Sequence, residues 1–207
     1  MYKNNNPAPI VLFTYNRLDH LKRTVESLQK NLEAKDSDLY IYSDDGKNHN
    51  DITLVMEVRN YIKSISGFNK IIIIERKENF GLANNIIDGI STVIKKYGKI
   101  IVLEDDLVLS PYYLNFLNKA LDYYEYKKKV WHISGWNLPF DYKELPDTYF
   151  TRVMFCSGGW ATWYDRWVYF EKNPSKIILE FTKEEKYKFN IDGEKNSFWK
   201  QIVKNNS

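Results

Sequence analysis

Residues 100–106 read IIVLEDD, a short apolar run that ends abruptly in three acidic residues. Such a run is typical of a strand buried on both faces of a parallel sheet. Three similar runs precede it, at residues 9–14 (PIVLFT), 39–42 (LYIY) and 71–74 (IIII). The sequence therefore predicts four core strands, each buried on both faces.

Segments with helical periodicity separate these strands. Their apolar side chains recur every three or four residues, as on the buried face of an amphipathic helix. The repeating positions are Leu18, Leu21, Val25 and Leu28; Val55, Val58, Ile62 and Ile65; and Leu82, Ile86, Ile90, Val93 and Tyr97. A fourth helix is predicted to begin at Ser110 as N-cap, with Pro111 in its first turn. This alternation predicts an α/β fold, a mostly parallel sheet flanked by helices.

Composition limits the class of protein. The chain has 207 residues, of which 43% are hydrophobic, and this indicates one soluble domain over residues 1–207. Its net charge of +3 is too small to predict a nucleic-acid partner. The single cysteine, Cys156, and three histidines cannot form a disulfide or a zinc cage, so a reducing compartment is expected. No apolar run is long enough for a signal peptide or a transmembrane segment.

The pattern becomes irregular and rich in aromatic residues from about residue 130. Five of the six tryptophans lie between residues 131 and 167. Core packing is the expected role of most of them, whereas stacking on a sugar is a sharper alternative for Trp160, which follows Ser157, Gly158 and Gly159. Residues 201–207 provide no strand to close the last unit, which indicates a chain shortened at its carboxyl end.

Polar residues follow each predicted strand at its carboxyl end. Right-handed crossovers place these ends at one edge of a parallel sheet, where such folds bind their ligands. The polar stretches are TYNR (14–17), SDDG (43–46), ERKEN (75–79) and EDD (104–106). We therefore expect the functional site at this edge.

Glu104, Asp105 and Asp106 are the strongest candidates for a metal site. Adjacent carboxylates raise one another's pKa, and a hard divalent cation removes the conflict by binding their oxygens. Mg²⁺ or Mn²⁺ would take one or two carboxylates and fill its other positions with water and a substrate phosphate. A solvated acidic loop, or acidic capping before the predicted fourth helix, is the alternative.

Asp44 and Arg17 are weaker candidates at the same edge. A carboxylate at the end of the second strand often bonds a base or ribose, although an ordinary Asp-Gly turn is the alternative for Asp44. Arg17 would suit an anion at the start of the first helix, or it is simply solvated. The chain lacks both the dinucleotide-binding glycine motif and the P-loop, and its histidines have no nucleophile at a recognisable elbow. The sequence therefore gives no support for a function in hydride transfer, in ATP hydrolysis or in catalysis by a nucleophilic triad.

From about Ala8 to Trp167 the chain resembles the GT-A fold nucleotide-sugar glycosyltransferases. The matching segments are residues 9–28 (opening strand and helix), SDDG (nucleoside-binding acid), residues 78–90 (central helix), residues 99–117 (acidic motif and helix), HISGWN at 132–137 (strand after the metal site) and CSGGWATW at 156–163 (loop and helix over the donor sugar). The acidic motif of this chain reads EDD where many members have a plain DxD. In this it most resembles the branch that contains eukaryotic N-acetylglucosaminyltransferase I and its bacterial relatives.

The resemblance implies roles for the matching residues. Asp106 would bind the metal, Mn²⁺ or Mg²⁺, while Asp105 would contact the ribose and Glu104 the donor sugar. The remaining residues implied to bind substrate are Thr14, Asn16, Arg17, Asp44, Asn79, Gly159 and Trp160, with Arg17 and Asp44 on the nucleotide. The general base would be Asp192, in NIDGEKNSFW, with Glu194 as a nearby substitute.

The implied function is metal-dependent, inverting transfer of a sugar from a nucleotide diphosphate donor to a hydroxyl of a glycan or lipid-linked glycan, as in bacterial surface polysaccharide synthesis. Residues 1–129 would bind the nucleotide-sugar and the metal, and residues 130–207 the donor sugar and the acceptor. The expected location is the cytoplasm, with peripheral association at the inner face of the membrane.

Two other functions stay open from sequence. A nucleotidyltransferase shares the α/β scaffold and a metal, but it would need a glycine- and lysine-rich loop where this chain has TYNRLDH (14–20). A non-catalytic domain that binds a nucleotide-sugar or a carbohydrate would explain the aromatic residues and the short carboxyl end.

Overall fold

The computed structural model describes residues 6–136, 148, 150–151, 158–193 and 197–206. These residues form two compact units. The first contains the described residues up to Phe150 together with 158–168, and the second contains Thr151, 169–193 and 197–206. A single domain over 1–207 stays a prediction.

The first unit is built around a sheet. Within the described part of the chain it has six strands in the order β3-β2-β1-β4-β6-β5. The strands are β1 (Ile10–Thr14), β2 (Asp38–Ser43), β3 (Lys70–Glu75), β4 (Lys99–Glu104), β5 (Ile133–Ser134) and β6 (Trp160–Trp163). The first four run parallel, while β6 is antiparallel to both β4 and β5. The predicted mostly parallel α/β sheet is confirmed.

Helices cover both faces of this sheet. They are α1 (Leu18–Gln29), α2 (His49–Ile62), α3 (Leu82–Tyr97), α4 (Tyr113–Tyr124) and the short α5 (Tyr164–Trp167), with a 3₁₀ helix at Leu32–Asp36. Alternate residues of each strand point to opposite faces. Ile10 and Leu12 therefore pack with α1, α2 and α4, whereas Val11 and Phe13 pack with α3.

The register of the parallel strands brings their carboxyl ends to one edge. Thr14 pairs with Ser43, Ser43 with Glu75, and Phe13 with Glu104. The polar stretches that follow these strands therefore start side by side, as predicted, and this edge positions the candidate site.

Two local predictions are corrected by the structure. β3 is only half-buried along residues 71–74, because it is an edge strand with a neighbour on one side. α4 begins at Tyr113, and Ser110 is not its N-cap. Ser110 instead closes the preceding turn, in which its carbonyl accepts the Tyr113 N–H at 3.0 Å.

A third correction concerns residues 160–163, which the family resemblance places in a loop and helix over the donor sugar. They form β6, and the register pairs Val102 with Trp160 and Lys99 with Trp163. Trp160 and Trp163 are buried. The helical part of the expectation corresponds to α5, which follows directly.

The second unit consists of short helices, α6 (Pro174–Glu180), α7 (Lys183–Phe189) and α8 (Ser197–Lys204). Thr182 and Glu185 cap α7 reciprocally, which satisfies the N–H groups at its start. Aromatic rings join the helices, and Phe181 stacks on Trp199 with centroids 5.6 Å apart. No helix in the described ranges of either unit has the length and apolarity needed to span a membrane.

A close contact between α3 and the sheet predicts a stability effect at Gly89. A Cβ added there would lie 2.7 Å from a ring carbon of Phe13 and 3.2 Å from one of Tyr42. We expect Gly89→Ala to lower the free energy of unfolding by roughly 1 kcal/mol, because overpacking outweighs the better helix propensity of alanine. Urea unfolding measures the change.

Lys95→Ala, at an exposed position of the same helix, is the matched control and should stay within about 0.5 kcal/mol of the wild type. A Gly89→Ala chain that is more stable than the wild type would contradict the contact.

Candidate functional site

Arg17 contacts both carboxylates that directly follow β4, while Glu104, the third acidic residue of the motif, is the last residue of that strand. Its Nη2 pairs with Oδ1 of Asp105, and its Nη1 lies 3.2 Å from Oδ2 of Asp106. The Asp105 side chain is 3% exposed, whereas those of Asp106 and Arg17 are 41% and 46% exposed. The guanidinium therefore forks across one buried and one accessible carboxylate.

Asp105 also holds the loop between β1 and α1. Its Oδ2 accepts hydrogen bonds from the Thr14 hydroxyl at 3.4 Å and from the Tyr15 backbone N–H at 3.3 Å. Together with Arg17 these contacts engage both carboxylate oxygens. Thr14, Arg17 and Asp105, predicted separately from sequence, lie in one hydrogen-bonded cluster.

The electrostatics of this cluster favour a further cation. Burial raises the pKa of Glu104 above its ordinary value, the carboxylates of Asp106 and Asp105 raise it further, and Arg17 offsets part of the rise. Burial lowers the pKa of Arg17, but its two carboxylate partners raise it, and the net shift is upward. Three carboxylates against one guanidinium leave an excess of negative charge when all are ionised.

The donor set fits an open metal site. Within the described ranges, no group of three or more His, Cys, Asp or Glu side chains is arranged to hold a metal ion by itself. Mg²⁺ usually binds through one or two carboxylates and takes water and substrate phosphate for the rest. The accessible carboxylate of Asp106, beside the disfavoured charge of Glu104, meets that requirement.

Asp44 is buried, and its carboxylate is used within the protein. Oδ1 accepts the Phe80 N–H at 2.8 Å, and Oδ2 accepts the Gly81 N–H at 2.9 Å. Asn79 donates to the Asp45 carbonyl at 2.6 Å. Asp44 and Asn79 therefore tie the end of β2 to the loop that starts α3.

Asn16 takes part in a similar set of hydrogen bonds between two loops. It donates to Oδ1 of Asp51 at 2.9 Å, and Asp51 is itself held at the start of α2 by Asn48. The neighbouring Tyr15 hydroxyl accepts the Lys47 N–H at 2.9 Å. The loops that follow β1 and β2 are thereby joined.

Gly159 and Trp160 belong to the packing at the start of β6. Trp160 is 9% exposed and packs in the core on the α3 face of the sheet. Gly159 has φ 76°, and an added Cβ would meet the Tyr113 hydroxyl and come within 2.7 Å of Leu103. Core packing, the role expected for most of the aromatic residues, describes Trp160 in this structure.

Two arginines at this edge, Arg59 and Arg76, were not predicted as site residues, and their side chains are 11% and 12% exposed. Arg59 donates to the carbonyl of Arg76 at 2.7 Å and lies 3.4 Å from Oδ1 of Asp45. Arg76 donates to Asn85 at 2.9 Å, pairs with Asp88 and lies over the Phe80 ring. The available signal was their residue type, because arginine presents a planar fork that suits several fixed acceptors.

Asp192, the predicted base, lies in the second unit in the turn after α7. Ile191 and Asp192 have φ values of 55° and 50°, in the left-handed region that non-glycine residues rarely adopt. The Gly193 N–H donates to the Tyr187 carbonyl at 3.1 Å and closes the turn. Glu194, the substitute, lies outside the described residues.

Comparisons with known proteins agree with this architecture. Residues 10–168 match the family model for glycosyl transferase family 2. Among solved structures, the mannosyltransferase PcManGT from Pyrobaculum calidifontis, in complex with GDP-Man and Mn²⁺, is 13% identical with a TM-score of 0.52, over 77% of this chain and 45% of that one. Residues 1–349 of S. aureus TarS are 15% identical with a TM-score of 0.41, over 57% and 33% of the two chains.

No curated protein matches the chain in sequence. The chain spans less than half the length of the two solved proteins. At 13% identity, the likeness to the mannosyltransferase shows the fold, and this is the GT-A arrangement of a mostly parallel sheet flanked by helices.

The raised pKa of Glu104 predicts a pH-dependent stability effect. Because this pKa is higher in the folded chain than in the unfolded chain, the ionised carboxylate destabilises the fold, and the penalty grows as pH rises above the ordinary value of 4.5. We expect Glu104→Gln to raise the melting temperature at about pH 7–8 and to lose that advantage below about pH 4.

Glu57→Gln, at an exposed position on α2, is the matched control and should melt with the wild type at both pH values. A Glu104→Gln advantage of the same size at low and neutral pH would argue against this electrostatic cause.

Proposed function

The chain belongs to glycosyl transferase family 2, and we propose that it moves a sugar from a nucleotide diphosphate donor to a hydroxyl acceptor with inversion at the anomeric carbon. The observation that carries the proposal is the acidic cluster at the end of β4, where one guanidinium balances part of the charge on three carboxylates. A site of this charge suits a diphosphate bound through a divalent cation. The mannosyltransferase of the same fold was solved with GDP-Man and Mn²⁺.

We assign Asp106 as the residue that would hold Mn²⁺ or Mg²⁺. Its carboxylate is the accessible member of the pair on Arg17. Ionised Glu104 beside it would be stabilised by a cation, because its pKa is raised by burial and by like charge. When bound, the ion supplies a Lewis acid for the departing diphosphate. Contacts of Asp105 with the ribose and of Glu104 with the donor sugar follow from the family resemblance.

Two charge changes in the reaction define what the protein residues do. The acceptor oxygen forms a bond to the anomeric carbon while the bond from that carbon to the diphosphate oxygen breaks, and its electron pair leaves with the diphosphate. The guanidinium of Arg17, held in place by Asp105, is a fixed positive charge for that leaving group.

The hydroxyl that receives the sugar must also lose its proton. We assign the carboxylate of Asp192 as the general base that takes this proton, with Glu194 as the substitute. General base catalysis of this kind contributes about 10²- to 10⁴-fold in rate. The left-handed backbone at Ile191 and Asp192 supports the assignment, since such strain persists where a structure holds a functional residue in place.

The finer parts of the proposal rest on the family resemblance. The EDD motif supports the N-acetylglucosaminyltransferase I branch and its bacterial relatives. The acceptor would be a glycan or lipid-linked glycan in bacterial surface polysaccharide synthesis, handled at the inner face of the membrane. Residues 1–129 would bind the donor nucleotide and metal, and residues 130–207 the donor sugar and the acceptor.

Asp106→Ala and Asp192→Ala should give different phenotypes. We expect Asp106→Ala to lose Mn²⁺-dependent donor binding as well as turnover, because it removes the metal ligand. Asp192→Ala should keep the donor dissociation constant and lose about 10²- to 10⁴-fold in turnover. Calorimetry with the nucleotide-sugar, with and without Mn²⁺, and a transfer assay separate the two; wild-type donor affinity in Asp106→Ala would refute the metal assignment.

Slow donor hydrolysis tests the reaction class without a known acceptor. With Mn²⁺, the chain should release nucleoside diphosphate from the nucleotide-sugar that most raises its melting temperature in a donor panel. Release of pyrophosphate from a nucleoside triphosphate would instead indicate a nucleotidyltransferase. Binding of the donor without release of either product would indicate a non-catalytic module.

A further inference from the structure

We infer that Thr24, Ser27 and Asn31 are positioning residues for the acidic cluster, a role that deepens the proposed function and rests on it. They hold residues 107–114, which follow the cluster, and through that segment they fix Asp106 against Arg17. We call these three side chains the α1 ladder.

The α1 ladder is polar where the helix faces the protein interior. Thr24 and Ser27 lie within α1, and Asn31 follows its end. All three are buried. Their spacing of three and four residues places them along one helical face. Since buried polar side chains cost stability unless they are hydrogen-bonded, their partners show what they do.

Each member of the α1 ladder accepts a backbone N–H from the segment after the acidic cluster. Thr24 Oγ1 accepts from Leu107 at 3.0 Å, Ser27 Oγ from Leu109 at 3.0 Å, and Asn31 Oδ1 from Leu114 at 2.9 Å. Asn31 also donates to the Ser110 carbonyl at 3.1 Å. Residues 107–110 form no helix or strand, so these side chains supply bonds that secondary structure does not.

The hydroxyl protons are directed away from the segment. Thr24 donates to the His20 carbonyl at 3.2 Å, and Ser27 donates to the Thr24 carbonyl at 2.9 Å. Each hydroxyl therefore presents an oxygen lone pair to Leu107 or Leu109. The orientation of both acceptors is fixed by α1 itself.

α1 thus fixes the acidic cluster at two points. Arg17, immediately before the helix, holds the side chains of Asp105 and Asp106. Thr24, two turns further on, holds Leu107, the residue directly after Asp106. A shift of residues 107–109 would change the separation between Asp106 and Arg17, and with it the geometry offered to a cation.

The test compares paired variants of the full chain. Ser27→Ala removes an acceptor of the α1 ladder, and Ser37→Ala is its matched control, because buried Ser37 donates to the Glu33 carbonyl, at 2.8 Å, ahead of the amino end of β2. Thr24→Val removes the acceptor at constant size, and Thr24→Ser retains it. The readouts are the Mn²⁺ dissociation constant, from paramagnetic resonance of free Mn²⁺, and amide hydrogen exchange over residues 107–114.

We expect Ser27→Ala and Thr24→Val to raise the Mn²⁺ dissociation constant about 10- to 100-fold, as loss of groups behind metal ligands typically does. Both should speed amide exchange over residues 107–114. Ser37→Ala and Thr24→Ser should stay within about twofold of the wild type in both readouts. Should Ser27→Ala fail to fold, the isosteric Thr24→Val carries the test.

Two results would overturn the positioning role. One is wild-type exchange over residues 107–114 in both ladder variants, and the other is faster exchange with an unchanged Mn²⁺ dissociation constant. A wild-type chain that binds Mn²⁺ neither alone nor with a nucleoside diphosphate present would instead refute the proposed metal site, and the exchange measurement would still decide whether the α1 ladder holds the segment.

Discussion

The fork of Arg17 across Asp105 and Asp106 is the interaction on which the candidate site depends. Three carboxyl groups in sequence at the end of a buried strand repel one another, and burial makes the charge on Glu104 costly. Arg17 relieves part of the repulsion from a fixed position before α1. Since Asp105 also binds Thr14 and Tyr15, the same contact fastens the loop after β1 to the end of β4.

Burial divides the residues of this edge into those that position and those that can bind. Asp105 and Asp44 are buried and Arg59 is only partly exposed, and their polar atoms are bonded to neighbouring backbone and side chains. Asp106 and Arg17 combine a fixed partner with large exposed fractions. A ligand that binds between β4 and α1 therefore meets the accessible carboxylate of Asp106 and the accessible guanidinium of Arg17, which orient each other. Preorganised charge of this kind stabilises a transition state more than mobile charge does.

The strands and crossover helices could be predicted because the two hydrophobic periods are local properties of the chain. The edge position of β3 could not, since four consecutive isoleucines have the same pattern in a central or an edge strand. The predicted start of α4 at Ser110 was wrong for a related reason. Asn31, which satisfies the Leu114 N–H, is 83 residues away in the sequence, and a local search for caps stops at Ser110.

The candidate site was predictable to the same extent. The EDD motif predicts that three neighbouring carboxylates need a cation beside them, and the sequence analysis named a divalent metal for that role. The pairing of Arg17 with Asp105 and Asp106 was not predicted, because an arginine at the start of a helix was assigned to an anionic ligand or to solvent. The involvement of Asp44 with Phe80 and Gly81 was not predicted either, because an acceptor for backbone N–H groups and an acceptor for a ligand have the same residue type. Only the folded structure shows whether the oxygens of a carboxylate already accept hydrogen bonds from the protein or can accept them from a ligand.

The proposed base, Asp192, lies outside the part of the chain that matches the family. The family match ends at residue 168 and contains β1 to β4, Arg17 and the acidic cluster. Asp192 lies beyond the family match, so its assignment as the base has to be argued from its local backbone conformation. A β-branched isoleucine at φ 55° directly before it is a conformation that costs free energy unless surrounding contacts enforce it. Gly193 is already in the positive-φ region, at 86°, where glycine bears no steric penalty. The turn therefore holds Ile191 and Asp192 in the left-handed conformation in addition to the glycine, and their cost is not the cost of a simple glycine-ended helix.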